Sequence, residues 1–426
     1  MSSAESENVI TLASNTTENV SVNTKFTRAA VEALGNRVSM TDSDEAAGLQ
    51  LFCYVKCGPE DESIVRECRG VVFNGEEIVL HAFPYTLEFA HTDAKKINSN
   101  ISPILQSCRI FDSYEGTLIR MFEFAGKWYT CTHRKLNAFR SKWASKESFG
   151  TAFKKALDSE VKNNDALRES LPENDECLLE RFQTTLDPCK QYMFLVLHND
   201  ENRIVCDSPD RPTLFHVGTF VDGELSMQEN INIPRPKEHT FDNVEDMIVY
   251  VRNIDIHQKQ GVIIFAPNNK QYKVLHEEYL ELFEARGNEP SIKYRYLQVR
   301  MNSNLVNTLY KLYPSMSSKF EEYEEAIYSI AQNIYKSYVD RYIKKKWVNV
   351  AVEEYNVMRK CHSFHEKDRK QNRISLKKII EMLNEQTPTV LNKMIRRFQN
   401  EKNHPREDSR EDSREEENSQ RLLSHP

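Results

Sequence analysis

From about residue 48 to residue 280 the chain consists of short β-branched and aromatic runs punctuated by turn residues, and after Pro290 that texture ends. The runs are "LQLFCYVKC", "RGVVFNGEEIVLHAF", "GTLIRMFEF", "KWYTCTH", "ECLLERF", "QYMFLVLHN", "RIVCD" and "TLFHVGTF". Each is β-branched and aromatic and is separated from the next by turn residues, which is the strand signature. "FAGKW", "HNDENR" and "APNNKQ" read as hairpin connections. Apolar residues at helical spacing interrupt the strands at 148–163 and 243–254, without the regular alternation of a parallel sheet. This part therefore reads as α+β with antiparallel sheets.

Beyond Pro290 the spacing becomes helical. The stretch 317–347 carries apolar residues at 320, 323, 327, 330, 334, 335, 338 and 342, which predicts one long amphipathic helix starting at Ser317. "SLKKIIEMLN" and "TVLNKMIRRFQN" predict two more, so 290–400 reads as all-helical. The stretch 1–47 reads as a flexible arm. The end, 401–426, repeats REDS without apolar periodicity and reads as disordered.

Charge separates the same two parts. The 426 residues carry a net charge of -7, yet 290–400 holds 21 Lys and Arg against 11 Asp and Glu. A basic module beside an acidic one is the footprint expected of phosphate contacts. Lys344, Lys345 and Lys346, the cluster 366–373, and Arg396 and Arg397 are the candidate nucleic-acid contacts. Tyr294, Tyr296, Tyr310, Tyr313 and Tyr328 lie among these cations; most are packing residues, with one or two available to stack on unpaired bases. No apolar run approaches the roughly 20 residues of a membrane span, and the polar start lacks a secretory leader pattern. The nine cysteines form no CxxC pair, which argues against both a disulfide framework and a zinc site and for an intracellular, reducing compartment. Cys53, Cys57 and His81 have strand spacing and no second ligand pair, so no metal site is expected from them.

Four short pieces carry the chemistry: "ECRG" at 67–70, "SYEG" at 113–116, "LLERF" at 178–182, and "QGVIIF" with "KQYKV" at 260–274. Their order and spacing resemble the phage-type, ATP-dependent RNA ligase family of covalent nucleotidyltransferases over residues 48 to about 280. The run "SYEGTLIR" with "THRKL" also looks like ligase-related proteins of large DNA viruses. The resemblance implies a nucleotidyltransferase domain over 48–289, and beyond it only helical character is shared, so the basic helical domain over 290–400 rests on periodicity and charge. It places Arg69 against ATP phosphates, Glu115 and Gly116 on the acid and glycine of the adenylylation motif, and Glu180 on the strand acid that holds the ribose. Gly261 falls on the glycine of the metal-site strand, Lys273 on the first phosphate lysine, and His133 to Lys135 on a basic turn.

The departures from that pattern are as informative as the matches. Ser113 stands where the family has its nucleophilic lysine, Gln260 where it has the metal-site glutamate, and Leu275 where it has the second phosphate lysine. A hydroxyl without an adjacent base is a poor nucleophile and cannot give the phosphoramidate an amine gives. A neutral amide lends no negative charge to Mg²⁺, and leucine removes a cation that would neutralise the transferring phosphoryl group. The expectation is a protein of ligase type that binds nucleic-acid ends, RNA or another single strand, with ATP and Mg²⁺ held weakly and nothing held covalently. The alternative is an active ligase whose lysine is displaced to Lys127 or Lys135. A protein partner of the acidic tail is not specified by the sequence.

Overall fold

The computed structural model describes residues 26–197, 203–267 and 269–403. The expected tail from 404 on, the first 25 residues of the expected arm, and most of the "HNDENR" connection lie outside the described residues. The chain divides into two compact units, up to Tyr85 and from Thr86 on.

The first unit is a four-stranded antiparallel meander. Helix α1 (Arg28–Glu32) leads into β1 (Val38–Asp44), β2 (Leu49–Tyr54), α2 (Ser63–Glu67), β3 (Arg69–Asn74) and β4 (Glu77–Leu80). Residues 28–44, within the stretch expected to be an arm, are therefore regular structure. Val31, Val38, Phe52, Val71 and Phe73 form the core, so the inward positions of β1 to β3 and one helical residue meet on one face. Thr27 starts α1 by accepting a hydrogen bond from the Ala30 N–H through its hydroxyl.

The second unit holds two further sheets and all the later helices. In chain order the elements are β5 (Leu87–Ala90), α3 (Ala94–Asn100), β6 (Arg109–Ser113), β7 (Thr117–Phe124), β8 (Lys127–Cys131), α4 (Phe149–Asn163), α5 (Asp165–Ser170), α6 (Leu178–Gln183), β9 (Gln191–Leu197), β10 (Thr213–Val221), β11 (Glu224–Ser226), β12 (Glu238–His239), α7 (Val244–Arg252), β13 (Gly261–Phe265), β14 (Gln271–Leu275) and α8 (Glu277–Arg286). One sheet runs β11-β10-β9-β7-β8, and the other β12-β6-β13-β14-β5 with β5 parallel to β14. The tight β7–β8 hairpin is made by Ala125 and Gly126, both in the left-handed region at φ 53° and 80°. Ile119, Met121, Tyr192 and Phe194 bury one face of the first sheet under α4 and α6. Ile110, Val262, Ile264 and Val274 bury one face of the second under α3 and α7.

The chain then continues as α9 (Ile292–Val299), α10 (Ser303–Leu312), α11 (Ser317–Tyr338), α12 (Val352–Lys367), α13 (Leu376–Asn384) and α14 (Pro388–Asn403). The expected class, α+β with antiparallel sheets followed by helices, is what the structure has. Phe320, Ile327, Ile330 and Ile334 of α11 sit at the centre of the helical core, against Met358 and Cys361 of α12, Leu383 of α13 and Ile395 of α14.

Three local readings change. "LLERF" is helix rather than strand: Leu179 and Phe182, three apart, are buried together, a spacing that a run this short cannot reveal. "RIVCD" forms no strand; Val205 and Cys206 are buried, but in irregular backbone whose N–H groups are used elsewhere. The long helix stops at Tyr338 and passes through a π turn, Val339–Ile343, so Lys344 to Lys346 stand beyond it.

Candidate functional site

Register brings most of the motif pieces to one end of the second sheet. Ser113, Gly261 and Leu275 lie side by side across β6, β13 and β14. Phe111, Ile263 and Lys273, with Glu88 of β5, form the next row on the same face, because side chains two apart on a strand share a face. The ends are sewn together by backbone: Gln260 N–H donates to the Ser113 carbonyl at 2.9 Å, and His276 N–H to the Gln260 carbonyl at 3.0 Å. Ser113, Gln260, Gly261, Lys273 and Leu275, chosen from motifs about 150 residues apart, are thus one construction.

Both glycines are dictated by close approach. At Gly261, with φ 152°, a Cβ would stand 2.1 Å from the Val274 carbonyl oxygen. At Gly116 it would stand 2.7 Å from the Val196 carbonyl oxygen, where the bend after β6 delivers the chain into the other sheet beside β9.

The polar side chains at this end are engaged with the protein itself. Ser113 and Gln260 are buried. The Gln260 amide donates to the Tyr114 carbonyl at 2.6 Å, and its oxygen lies 3.4 Å from Lys273 Nζ, which also faces Glu88 at 3.6 Å. The Tyr114 ring stacks on Phe215 of the first sheet, centroids 5.3 Å apart. Leu275 is buried with Val205, Cys206, Ile256 and Tyr279, an apolar site rather than a cationic one.

Glu115 is clamped. Its carboxylate accepts hydrogen bonds from the N–H groups of Val205 and Cys206, at 3.0 and 3.1 Å, and from the Tyr279 hydroxyl at 2.8 Å, with the Ile204 N–H at 3.4 Å. This is where the backbone donors of "RIVCD" go. Burial pushes the Glu115 carboxyl above its ordinary pKa, and these donors offset that only in part. The Tyr313 hydroxyl in turn donates to the Ile204 carbonyl at 2.6 Å and accepts from Arg286 at 2.9 Å, so the segment is held on both sides.

On the opposite face of β6 the structure assembles a charged cluster that sequence reasoning missed. The buried Asp112 carboxylate accepts from Tyr250 at 2.6 Å and Lys259 at 2.7 Å, and pairs with His239 Nε2 at 2.9 Å. Burial alone would raise the Asp112 carboxyl, but the bonds to Lys259 and Tyr250 and the charges of Lys259 and His239 prevail and hold it below the usual carboxylate range. Its four members come from β6, β12, α7 and the loop before β13, so only the acid within "FDSYEG" offered any signal.

The remaining expected residues lie elsewhere. Glu180 is exposed on α6, where its carboxylate accepts from the Cys177 N–H at 3.0 Å and closes the first turn of its own helix, which corrects the expected strand placement. Arg69 opens β3 in the first unit, its guanidinium 3.3 Å from the Pro84 carbonyl. His133 to Lys135 form a tight turn after β8 around the Thr132 hydroxyl, which accepts from the N–H groups of Arg134 and Lys135. Arg397 pairs with Glu353 and Glu354 across α12 and α14, Arg396 is exposed, and Lys344 lies 3.0 Å from Asp340.

Among the described residues no group of three or more His, Cys, Asp or Glu could hold a metal ion. At the position expected to serve Mg²⁺, the Gln260 amide is already used on both sides, and Glu88 and Glu115 face Lys273 and the backbone clamp. These residues do not fit a divalent cation as arranged. No helix among the described residues is long and apolar enough to cross a membrane.

No family model matches the chain. It is similar to the immediate-early protein ICP-46 homolog of Invertebrate iridescent virus 6, 29% identical over 407 residues that cover 87% of this chain and 84% of that protein. The ICP-46 homolog of Invertebrate iridescent virus 3 is 28% identical over 293 residues, 66% of this chain and 61% of that one. Immediate-early protein ICP-46 of Frog virus 3 is 26% identical over 256 residues, 58% of this chain and 62% of that one. Similar solved structures include a putative ATP-dependent DNA ligase from Aquifex aeolicus, at 13% identity and TM-score 0.39, covering 74% of this chain and 79% of that one. An archaeal ATP-dependent RNA ligase has 14% identity and TM-score 0.39, covering 71% and 78%.

Proposed function

We propose that this protein is a ligase-type, non-adenylylating binder of nucleic-acid ends, in which a nucleotide is held without a covalent bond. The observation that carries the reading is the pairing at the sheet end: a buried serine at the nucleophile position and, two residues on, an acid clamped by the chain's own backbone. Phosphoryl transfer needs a nucleophile within about 3.5 Å of phosphorus and charge stabilisation around the transferred group. Ser113 supplies no amine, Gln260 no charge, and Leu275 only packing. On this reading Lys273 serves as a phosphate contact for ATP, with Mg²⁺ bound weakly through the nucleotide rather than through Gln260. The working division is a ligase-like stretch to 289 and a basic helical stretch over 290–400 that contacts RNA or another single strand. The iridescent-virus relatives, named as immediate-early proteins, support a viral protein working inside the host cell.

The displaced-lysine alternative narrows to one residue. Lys127 stands at the far end of the β7–β8 hairpin, ten residues beyond Thr117, with its ammonium 4.6 Å above the Tyr129 ring. Lys127 pairs with Phe124, seven strand steps from Thr117, and at roughly 3.3 Å per residue that is about 23 Å from the Thr117 end of the hairpin. Lys135 follows β8 back to the Thr117 end of the sheet, since Cys131 pairs with Arg120.

The test is incubation of the purified chain with Mg²⁺ and α-labelled ATP or GTP, followed by denaturation. No label should remain on the protein. A label that persists, and disappears in Lys135→Ala, would establish the alternative and overturn the proposal. Ser113→Lys alone should not restore labelling, because the charge and packing around Gln260 and Leu275 are unchanged.

A further inference from the structure

The turn between α11 and α12 presents an arrangement that the sheet end lacks. After the π turn, Lys344 N–H donates to the Val339 carbonyl at 2.9 Å and Lys346 N–H to the Asp340 carbonyl at 2.8 Å, while Lys345 takes a left-handed conformation at φ 58°. A lysine in that region is uncommon and costs strain. The backbone is thereby folded back on the helix end, and Trp347 is left 82% exposed, with Ile343 at 67% and Val352 at 71%. Large indoles are normally among the better buried side chains, whereas this one stands exposed directly after three consecutive lysines.

We infer that Trp347 is a stacking platform for an unpaired base of a single-stranded nucleic acid, with Lys345 and Lys346 on the flanking phosphates. The inference deepens the nucleic-acid half of the reading above and rests on it. Three consecutive lysines precede the indole, and of the three only Lys344 has a carboxylate partner among the described residues. Arg341 is not part of the phosphate set, because its guanidinium lies over the Tyr355 ring at 5.1 Å. A flat exposed ring beside unpaired cations matches what sequence-tolerant single-strand binders use, a π-face for the base and positive charge for the backbone. A duplex would keep its bases stacked on one another and offer the ring nothing. A lipid surface fits less well: interfacial segments need a continuous apolar face, whereas Ile343, Trp347 and Val352 are separated by lysines and irregular backbone.

The test uses the full-length protein with twelve-residue oligo(dT) and oligo(U), reading both tryptophan fluorescence and the anisotropy of end-labelled oligonucleotide at low salt. Of the three tryptophans, Trp128 packs against the sheet core and Trp143 lies under the Arg286 guanidinium, so quenching on binding reports Trp347. Trp347→Ala should abolish the quench and weaken affinity by about 5- to 150-fold, the range expected for one lost base stack. Trp347→Phe should retain most of the affinity without the signal. An abasic oligonucleotide should bind wild type and Trp347→Ala alike. Unchanged oligonucleotide affinity in Trp347→Ala, no binding of either oligonucleotide, or a blue-shifted Trp347 signal seen with phosphatidylserine vesicles and not with oligonucleotides would each overturn the inference. A covalent nucleotide label would defeat the non-adenylylating reading and leave these outcomes untouched, so the two failures are separable.

Discussion

The sheet end around Ser113 and the turn around Trp347 treat polar groups in opposite ways. At the sheet end, Asp112, Glu115 and Gln260 are each bonded to partners drawn from distant parts of the chain, and the glycines are fixed by backbone approach. At the turn, the lysines and the indole face solvent beyond the end of a well-packed helix. A buried polar group needs its partners and specifies architecture through them; an exposed one next to an apolar ring has its hydrogen bonds and contacts still to give. The difference teaches that motif residues can be consumed internally as architecture, while exposed cations and a free ring stand outside the motif pieces.

The strongest way to break this comparison is to remove a partner at the sheet end. Asp112→Ala leaves Lys259 without its counter-charge and should cost about 3–5 kcal/mol, measured by denaturant unfolding; a loss under 1 kcal/mol would mean the cluster is not architectural. Leu275→Lys puts an ammonium among Val205, Ile256 and Tyr279 and should cost about 3 kcal/mol. A stable variant would show that the apolar site opens readily and is less committed than its packing implies.

The two carboxylates should sharpen the comparison through pH. Asp112 is held below its unfolded value, so its contribution is present above about pH 4 and is lost as the pH falls through its folded pKa. Glu115 is raised, so its contribution is complete below about pH 4 and is lost as the pH rises through its folded pKa. Stability profiles of Asp112→Asn and Glu115→Gln should therefore lose pH-dependent components of opposite sign. Components of the same sign would mean that the clamp donors outweigh burial at Glu115. The smallest expected effect is at the turn: changing Lys344, Lys345 and Lys346 together to Ala should leave unfolding unaltered and flatten the log-log salt dependence of oligonucleotide binding by about 1.4, from the two phosphate contacts of Lys345 and Lys346 at roughly 0.7 each. An unchanged slope would move the phosphate contacts elsewhere.

Periodicity made β2, β3, β4, β7, β8, β9 and β10 and the helices of 317–338, 376–384 and 388–403 legible, because each buries one face and repeats its apolar residues accordingly. It failed where side chains are buried without a repeating face. "RIVCD" has strand composition, but its N–H groups bond a carboxylate 90 residues earlier, a pairing no local pattern carries. "LLERF" is ambiguous in so short a run, and its glutamate serves its own helix start. The order of the motif pieces foretold that Ser113, Gln260 and Lys273 would meet, since strand pairing juxtaposes them; it could not foretell the Asp112 cluster, whose members share no spacing. Nor could it place Trp347, because the π turn that exposes it interrupts an apolar pattern that reads as one helix through 342.

The buried Arg286 has a consequence for how the molecule comes apart. Its guanidinium lies among the Trp143 and Tyr313 rings and bonds the Tyr313 hydroxyl and the carbonyls of Gly287 and Glu289. Tyr313 follows α10, and its hydroxyl reaches the segment that clamps Glu115. Melting the late helices would strand a buried cation and release that segment from one side, so the helices and the sheet end are expected to lose structure in a single cooperative step, and protease nicking after residue 290 should not liberate a stable amino-terminal fragment.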